Sequence, residues 1–247
     1  MQFASGLRDL GRGFAALRAH PRLWAWVIAP AVITLVLLAA VVLGIRHVTE
    51  PVTGWLVAHL PESLARTAST VLGTLIGVAL WIGAWIVFVP VAGMITGPFA
   101  EQLSENLEAE LTGRPAPPFS WSAFLHGAVL GILHGVRRIA VSLVGLVLVL
   151  VIGFVPVVGT IAAVAIGIWF AATSAAYDCY DAVLARRSMA YGAKMAYLAG
   201  HRARTLGLGA AVAGALLVPG LNLIALGVGA AGATVAAHAL QPVSSSV

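Results

Sequence analysis

Four stretches of the chain contain no Asp, Glu, Lys or Arg, and each is at least as long as a membrane-spanning helix. They cover residues 24–45, 67–96, 139–176 and 205–240. A helix needs about 20 apolar residues to cross the ~30 Å hydrocarbon core of a bilayer. Only 9% of the residues are charged, whereas soluble domains carry about 25% charged residues. The sequence therefore predicts an all-α integral membrane protein.

The third and fourth stretches are interrupted by proline and glycine. Pro156 and Gly159 divide the third into arms of roughly 16 and 17 residues, and the turn at Val218–Asn222 divides the fourth into arms of about 13 and 17. Each arm is shorter than the ~20 residues of a full crossing. Paired, interrupted apolar segments are typical of transporter cores. We predict two long transmembrane helices and two Pro/Gly-broken helical hairpins, which enter the bilayer halfway or cross it as short spans.

The segments between these stretches are predicted to lie at the membrane surface, within one membrane domain that covers residues 1–247. The first is an interfacial helix over residues 2–20, because its apolar residues recur at helical spacing beside arginines. These apolar residues are Phe3, Leu7, Leu10, Phe14 and Leu17. Residues 46–66, with two prolines and four charged residues, are expected to form a loop. The others are an acidic helix, an amphipathic helix and a polar connector, at residues 98–113, 119–138 and 177–204.

The acidic helix holds four of the nine acidic residues of the chain. We expect it to begin at Pro98, because proline suits the first turn of a helix, where its missing N–H is not needed. Its helical period places apolar and acidic side chains on opposite faces, with Glu110 turned back toward the apolar side. The apolar stripe is Phe99, Leu103, Leu107 and Leu111, and the opposite face carries Glu101, Glu105 and Glu108.

The distribution of basic residues predicts the orientation in the membrane. Twelve of the 14 Lys and Arg residues fall on one side, whether the hairpins cross the bilayer or return to their starting side. By the positive-inside rule this side is the cytoplasm, with both chain termini in it. The excess of basic residues behind the net charge of +5 is thus explained by its role in setting the membrane orientation. We therefore predict no nucleic-acid partner.

Several kinds of chemistry have no motif in this sequence. It contains no His-Glu-x-x-His, P-loop or dinucleotide fingerprint. His126 and His134 do not share a helix face and lack a third ligand, and Cys179 is the only cysteine. We therefore predict no enzyme, no metal site, no cofactor and no intrachain disulfide.

Several segments together resemble the CysZ sulfate-permease family of bacteria, which belongs to the etoposide-induced membrane protein group. The acidic helix carries the most specific part of the resemblance, and three other stretches agree in order and spacing. The matching segments are Gly97-Pro98-Phe99, Glu105-Asn106-Leu107-Glu108, Leu111-Thr112-Gly113, Arg18 to Pro30, Phe154 to Gly159 with Trp169-Phe170, and Val218 to Ile224.

This resemblance implies two long transmembrane helices, two hairpins that partly enter the bilayer, assembly as a homo-oligomer, and passage of sulfate toward cysteine synthesis. It also implies a location in the bacterial inner (plasma) membrane. Family members tend to carry a basic pair just after the proline that corresponds to Pro21. Here a single arginine, Arg22, follows that proline, which identifies the chain as a divergent member.

The candidate site residues follow from the chemistry of an anion in a membrane. A bare buried charge is very costly, so an oxyanion needs compensating charge or N–H donors. Arg18 and Arg22 are the candidate cations, and the N–H groups that open a helix at Pro98 and Phe99 are the candidate donors. The acidic face has the wrong sign to hold an anion. We expect its glutamates to gate or brace the path by pairing with Arg137, Arg138 or arginines of a neighbouring copy.

Two functions remain open at this point. The first is a permease or channel for a small inorganic oxyanion, with sulfate as the favoured substrate. The second is a membrane scaffold or assembly factor that transports nothing and offers the acidic helix as a cytoplasmic docking surface. The broken hairpins favour transport, and the reduced basic site favours the scaffold.

Overall fold

The structure is a computed structural model, and it describes residues 2–58, 61–115, 120–122, 124–125, 129, 144–145, 147, 151–153, 158–187 and 189–240. All regular elements in these residues are helices, as predicted. A 3₁₀ turn, Pro21–Leu23, connects the first two. The α-helices are α1 (Gln2–Ala19), α2 (Trp24–Val57), α3 (Glu62–Thr112), α4 (Val158–Arg186), α5 (Tyr191–Gly200), α6 (Arg202–Leu216) and α7 (Asn222–Ala239).

Three segments among the described residues are long and apolar enough to cross a bilayer. They are Pro21–Val57, Val158–Arg186 and Asn222–Ala239, and Ala68–Ala84 is a shorter apolar segment within α3. Their length and composition agree with the predicted class of membrane protein.

The chain divides into two compact units, of which one comprises Val32–Ile95. This unit contains most of α2 and the first part of α3. Thr53 of α2 lies beside Gly73 of α3, where a methyl group added to the glycine would be 3.6 Å from the threonine side chain. The two helices therefore contact each other at this point.

The loop predicted over residues 46–66 is wrong, because α2 continues to Val57 and α3 begins at Glu62. Within this stretch the hydroxyls of Thr49 and Thr53 donate to the carbonyl oxygens of Ile45 and Thr49, each at 2.7 Å. Threonine can satisfy its hydroxyl in this way inside a helix. Charge and proline content therefore marked the end of the apolar stretch without marking the end of the helix.

The helix start predicted at Pro98 also differs from the structure, in which α3 is continuous from Glu62 to Thr112. Proline inside a helix removes one backbone hydrogen bond and bends the axis, but the helix can continue when its packing holds it. Pro98 is buried, and so are Leu103 and Leu107, the two leucines that follow it most closely. The acidic helix is thus the last part of a longer helix.

The second unit comprises residues 1–31 and 96–247. Its larger core lies between α4, α6 and α7, where small and aromatic side chains interlock. The buried residues include Ala175, Cys179, Tyr180, Val183 and Leu184 of α4, Leu208 and Val212 of α6, and Ala233, Ala236 and Ala237 of α7.

Two leucines of the predicted apolar stripe help to build a second core, whereas Leu111 at the end of the stripe is exposed. Leu103 and Leu107 are fully buried against Leu17 of α1, Val27 of α2 and Val228 of α7. On the same side Ser104 is buried and accepts a hydrogen bond from the Thr234 hydroxyl at 3.0 Å. The acidic segment is therefore attached to its own chain through its apolar face.

The second predicted hairpin is present as α6 and α7. They are joined by a turn at residues 217–221, in which Gly220 adopts φ 86°, a conformation that glycine tolerates. The first predicted hairpin has α4 as its second arm. Gly145 lies against Phe170, and Gly153 lies near Ala163, so the two arms run antiparallel. Its break at Pro156, and most of residues 119–138, lie outside the described residues.

Helix α1 buries a face that lies beside the predicted apolar stripe and shares Leu17 with it. Gly6, Asp9, Gly13 and Leu17 are buried, and α1 crosses α6 and α7 along this face. Phe3, Leu7 and Phe14 are instead exposed. In a membrane protein these exposed aromatic and aliphatic side chains suit the lipid interface expected for residues 2–20.

Candidate functional site

Arg18 and Arg22 lie where the interfacial helix turns into the first membrane helix. Arg18 is in the last turn of α1, and Arg22 is in the Pro21–Leu23 turn just before α2. Both side chains are exposed, and neither forms an ion pair with any residue that the structure describes. Two cations that have no carboxylate partner in the described part of the chain therefore flank the start of a membrane span.

His20 connects this turn to the acidic segment. Its ring Nδ1 lies 3.5 Å from Glu110 Oε2, and both side chains are partly solvent-exposed. The backbone around it is ordered by two hydrogen bonds, from the His20 N–H to the Ala16 oxygen and from the Leu23 N–H to the His20 oxygen. The basic turn and the end of α3 are thus neighbours.

Pro98 and Phe99 do not present the free N–H groups that a helix start at this point would provide. They lie inside the continuous α3, where backbone groups bond within the helix. The ring of Phe99 packs beside Trp26 and Phe124, with ring centroids 6.2 and 5.4 Å apart. The position of these two residues agrees with a packing role near the start of α2.

One glutamate of the acidic face of α3, Glu108, pairs with two arginines that were not named from the sequence. Glu108 accepts a hydrogen bond from Arg186 Nη2, and its other oxygen is 3.9 Å from Arg187 Nη2. Both arginines belong to the end of α4. Arg137 and Arg138 lie outside the described residues, so their pairing stays a prediction. Glu105 accepts a hydrogen bond from Gln102 at 3.2 Å.

Glu101 lies in a more buried part of the same cluster. Burial raises the pKa of its carboxyl, the negative charge of Asp181 raises it further, and Lys194 opposes the shift. Lys194 itself donates to Asp181 Oδ1 at 2.6 Å. Since Asp181 already holds the lysine, Glu101 has no cation of its own among the described residues.

A test of this environment uses Glu101→Gln. A raised pKa means that the protonated carboxyl stabilises the folded state, and that this contribution is lost as pH rises through the raised pKa. We therefore expect the melting temperature of the variant to match that of the wild type near pH 4.5 and to exceed it increasingly toward pH 8. Glu50→Gln, at an exposed position of α2, serves as the control without a trend. A difference independent of pH would contradict the interpretation.

The most buried charge among the described residues was not identified from the sequence. Asp9 of α1 is 0% exposed and accepts two hydrogen bonds from Arg204 of α6, from Nε at 2.6 Å and from Nη2 at 2.9 Å. Arg12 adds a third at 3.0 Å. The hydrogen bond to Asp9 raises the pKa of Arg204, so this guanidinium stays charged. The pair joins the N-terminal helix to the second hairpin.

Comparison with known families agrees with this architecture. The profile of the family described as "Sulfate transporter CysZ/Etoposide-induced protein 2.4" matches residues 9–226. The chain belongs to this family. The match covers Asp9 and Arg204, both basic residues beside α2, and the whole acidic segment.

Curated relatives are similar over nearly the full chain. A protein named "Sulfate transporter CysZ" from Pseudomonas aeruginosa is 30% identical over 241 residues, which cover 95% of this chain and 94% of the relative. A protein of the same name from Pseudomonas syringae is 27% identical over 218 residues, covering 87% and 84% of the two chains. Together with the apolar helices, family membership makes this a multi-pass protein of a bacterial inner membrane.

Proposed function

We propose that the chain is a permease or channel that carries a small oxyanion, with sulfate as its substrate. The names of the relatives support sulfate as the substrate of this chain. The observation that carries the proposal is the presence of two exposed arginines, Arg18 and Arg22, at the start of α2, neither of which has an ion-pair partner within the described ranges. Charge-assisted hydrogen bonds from arginine suit a tetrahedral oxyanion.

The orientation follows from the same charges. We place both termini in the cytoplasm, because the basic residues of α1, of the acidic segment and of the end of α4 then share that side. In this orientation Arg18 and Arg22 lie at the cytoplasmic end of α2. They would then receive the anion as it leaves the membrane or hold it before release.

The acidic segment acts in this proposal as a brace near the path. Glu108 holds Arg186 and Arg187, so these two arginines are partly neutralised. Glu101 and Glu105 add negative charge that repels an anion from this surface. The combination directs an anion toward Arg18 and Arg22 and away from the α3–α4 contact. Assembly into a homo-oligomer stays a prediction.

The scaffold function has less support. A docking surface needs acidic side chains that are available to a partner, but Glu108 is used within the chain and Glu101 is partly buried. The apolar face of the same segment is covered by α1, α2 and α7. Little of the acidic segment therefore remains for a second protein.

Replacing Arg22 with alanine is expected to lower the initial rate of sulfate uptake about tenfold. A hydrogen bond to a charged group is worth about 1.5–3 kcal/mol, and its loss weakens anion capture correspondingly. Uptake of labelled sulfate into proteoliposomes measures the effect. Arg22→Lys should retain part of the rate, because lysine keeps the positive charge. It should not retain the full rate, because lysine cannot form the bidentate hydrogen bonds of a guanidinium group.

Arg8→Ala is the matched control, because Arg8 is an exposed arginine of α1 about three turns before Arg18. Its uptake should equal that of the wild type. If Arg22→Ala and Arg8→Ala have the same uptake, Arg22 is removed from the anion path.

A further inference from the structure

Helix α1 exposes a face that is apolar along one edge and basic along the other. The apolar edge consists of Phe3, Leu7 and Phe14, which are all exposed. The basic edge consists of Arg8, which is exposed, and Arg12, whose side chain is 52% exposed. We call these five residues the α1 outer face.

The opposite side of α1 is fixed against the rest of the chain. A methyl group added to Gly13 would meet backbone atoms of Gly232 in α7, and one added to Gly6 would meet the backbone of Arg204 in α6. Leu17 is fully buried on the same side. Because these contacts hold the helix in one rotation, the α1 outer face points away from both neighbouring helices.

Small residues separate the two edges of the α1 outer face. At 3.6 residues per turn, Ala4, Gly11 and Ala15 fall between the apolar edge and the basic edge, and all three are exposed. No atom of the described residues lies within 4 Å of a methyl group added to Gly11. A group from outside the chain can therefore approach the helix backbone between the two edges.

The charge of the α1 outer face is positive and is not cancelled within the helix. Asp9 is the only acid among the first 22 residues. It is buried, and it accepts two hydrogen bonds from Arg204 and one from Arg12. These three groups together keep one positive charge, and Arg8, which forms no ion pair within the described ranges, adds another.

The surface of a bilayer supplies groups that match both edges. An amphipathic helix of this kind lies at the boundary between headgroups and acyl chains. The side chains of Phe3, Leu7 and Phe14 then contact acyl chains, and those of Arg8 and Arg12 donate to phosphate oxygens. A headgroup with a net negative charge complements the uncancelled positive charge, whereas a zwitterionic headgroup also brings a cation that the arginines repel.

We infer that the α1 outer face is a binding surface for acidic phospholipids, with the headgroup phosphate beside Gly11, between the basic and the apolar edge. An interfacial position alone would accept any lipid, and the inference adds a preference for a negatively charged headgroup. It goes beyond the proposed function and does not rest on it, because neither Arg18 nor Arg22 takes part.

The test titrates the purified full chain in a neutral detergent with phosphatidylglycerol and measures the bound lipid by native mass spectrometry. We expect about fivefold weaker binding for Arg8→Gln and about twentyfold weaker binding when Arg12→Gln is added, because each arginine near an anionic lipid contributes to the attraction. Arg8→Gln alone leaves the hydrogen bonds of Asp9 in place, so its result does not depend on how the fold tolerates the loss of Arg12.

Arg114→Gln is the matched control and should bind phosphatidylglycerol like the wild type. Arg114 is an exposed arginine at the end of the acidic segment, and it lines an open surface pocket together with Glu110, whose carboxylate opposes an acidic lipid. A loss of affinity in Arg114→Gln as large as that in Arg8→Gln would contradict a specific role of the α1 outer face.

A parallel titration with phosphatidylcholine tests the preference for charge. The wild type should bind phosphatidylglycerol more tightly than phosphatidylcholine, and this preference should fall in Arg8→Gln and fall further in the double variant. Equal affinity of the wild type for the two lipids would overturn the inference. Equal affinity for phosphatidylglycerol in the wild type and both variants would overturn it as well.

Sulfate uptake is measured separately from lipid binding. Uptake by Arg22→Ala and Arg8→Ala is compared in vesicles of phosphatidylcholine alone, which contain no acidic lipid for Arg8 to bind. A failed lipid titration therefore leaves the proposed function standing, and absent sulfate uptake leaves the lipid-binding surface standing.

Discussion

Replacing Asp9 with alanine is expected to destabilise the fold by about 3–5 kcal/mol, which is the usual cost of breaking a buried ion pair by removing one partner. The variant leaves the guanidinium of Arg204, only 12% exposed, without its two hydrogen bonds to Asp9. Because the pair joins α1 to α6, the loss should first release the N-terminal helix. Chemical unfolding in detergent micelles measures the free energy.

A double variant separates the ion pair from general damage at this position. Asp9→Ala combined with Arg204→Leu removes both charges, and it should recover much of the loss, because no buried charge remains unpaired. Glu50→Ala, at an exposed acid of α2, should have nearly no effect. If Asp9→Ala is no more destabilising than Glu50→Ala, Asp9 and Arg204 do not form the pair described above.

Replacing Gly207 with alanine is the second change expected to have a large effect. A methyl group at Gly207 would meet the carbonyl oxygen of Phe3 and would lie 3.1 Å from the Cα of Gly6. These are backbone atoms of α1, so they cannot move aside unless the whole helix shifts. Overpacking of this kind costs typically about 1–3 kcal/mol, and backbone contact places this case at the upper end.

Gly214 of the same helix is the matched control, because nothing lies within 4 Å of a methyl group added there. Gly214→Ala should leave stability unchanged or raise it by up to about 1 kcal/mol, since alanine favours the helix more than glycine does. The two substitutions are chemically identical, so changes of opposite sign in the free energy of unfolding would show that the cost at Gly207 comes from the α1–α6 contact. Equal effects would contradict close packing at Gly207.

The sequence was sufficient to predict those parts of the fold that depend on one segment alone. Uncharged stretches gave the membrane class, and the turn at Val218–Asn222 gave the break between α6 and α7. The period of the acidic segment identified Leu103 and Leu107 as a buried stripe. The motifs of the same segment pointed to the family that the comparison then confirmed.

Helix ends were less predictable, because a proline can either precede a membrane helix or lie inside it. Pro61 precedes the start of α3, whereas Pro51 and Pro98 lie inside helices. Neighbouring helices and polar side chains can compensate a missing backbone hydrogen bond in such proteins. A rule that treats each proline as an end therefore placed a loop at residues 46–66 and a helix start at Pro98.

Contacts between distant segments could not be read from one sequence. Asp9 and Arg204 are separated by 195 positions, and either could have been a surface charge. The sequence contained one indication of this contact. Asp9 is the only acid among the first 22 residues, and it lies on the same helix face as Gly6 and Gly13. Small residues at this spacing allow close helix crossings in membranes. The apolar stripe of α1 lies beside this face, and its residues Phe3, Leu7 and Phe14 are exposed, so the stripe alone did not identify the buried contact.

The most direct test of the central claim is sulfate uptake by the wild-type chain in proteoliposomes. An inward sulfate gradient is applied, and labelled sulfate inside the vesicles is measured against protein-free vesicles of the same lipid. If the chain is a permease or channel for sulfate, the uptake of labelled sulfate depends on the protein and continues until it saturates or the gradient is dissipated. Unlabelled sulfate should reduce this uptake by competition. Uptake equal to that of protein-free vesicles, with correctly folded and inserted protein, would contradict the claim.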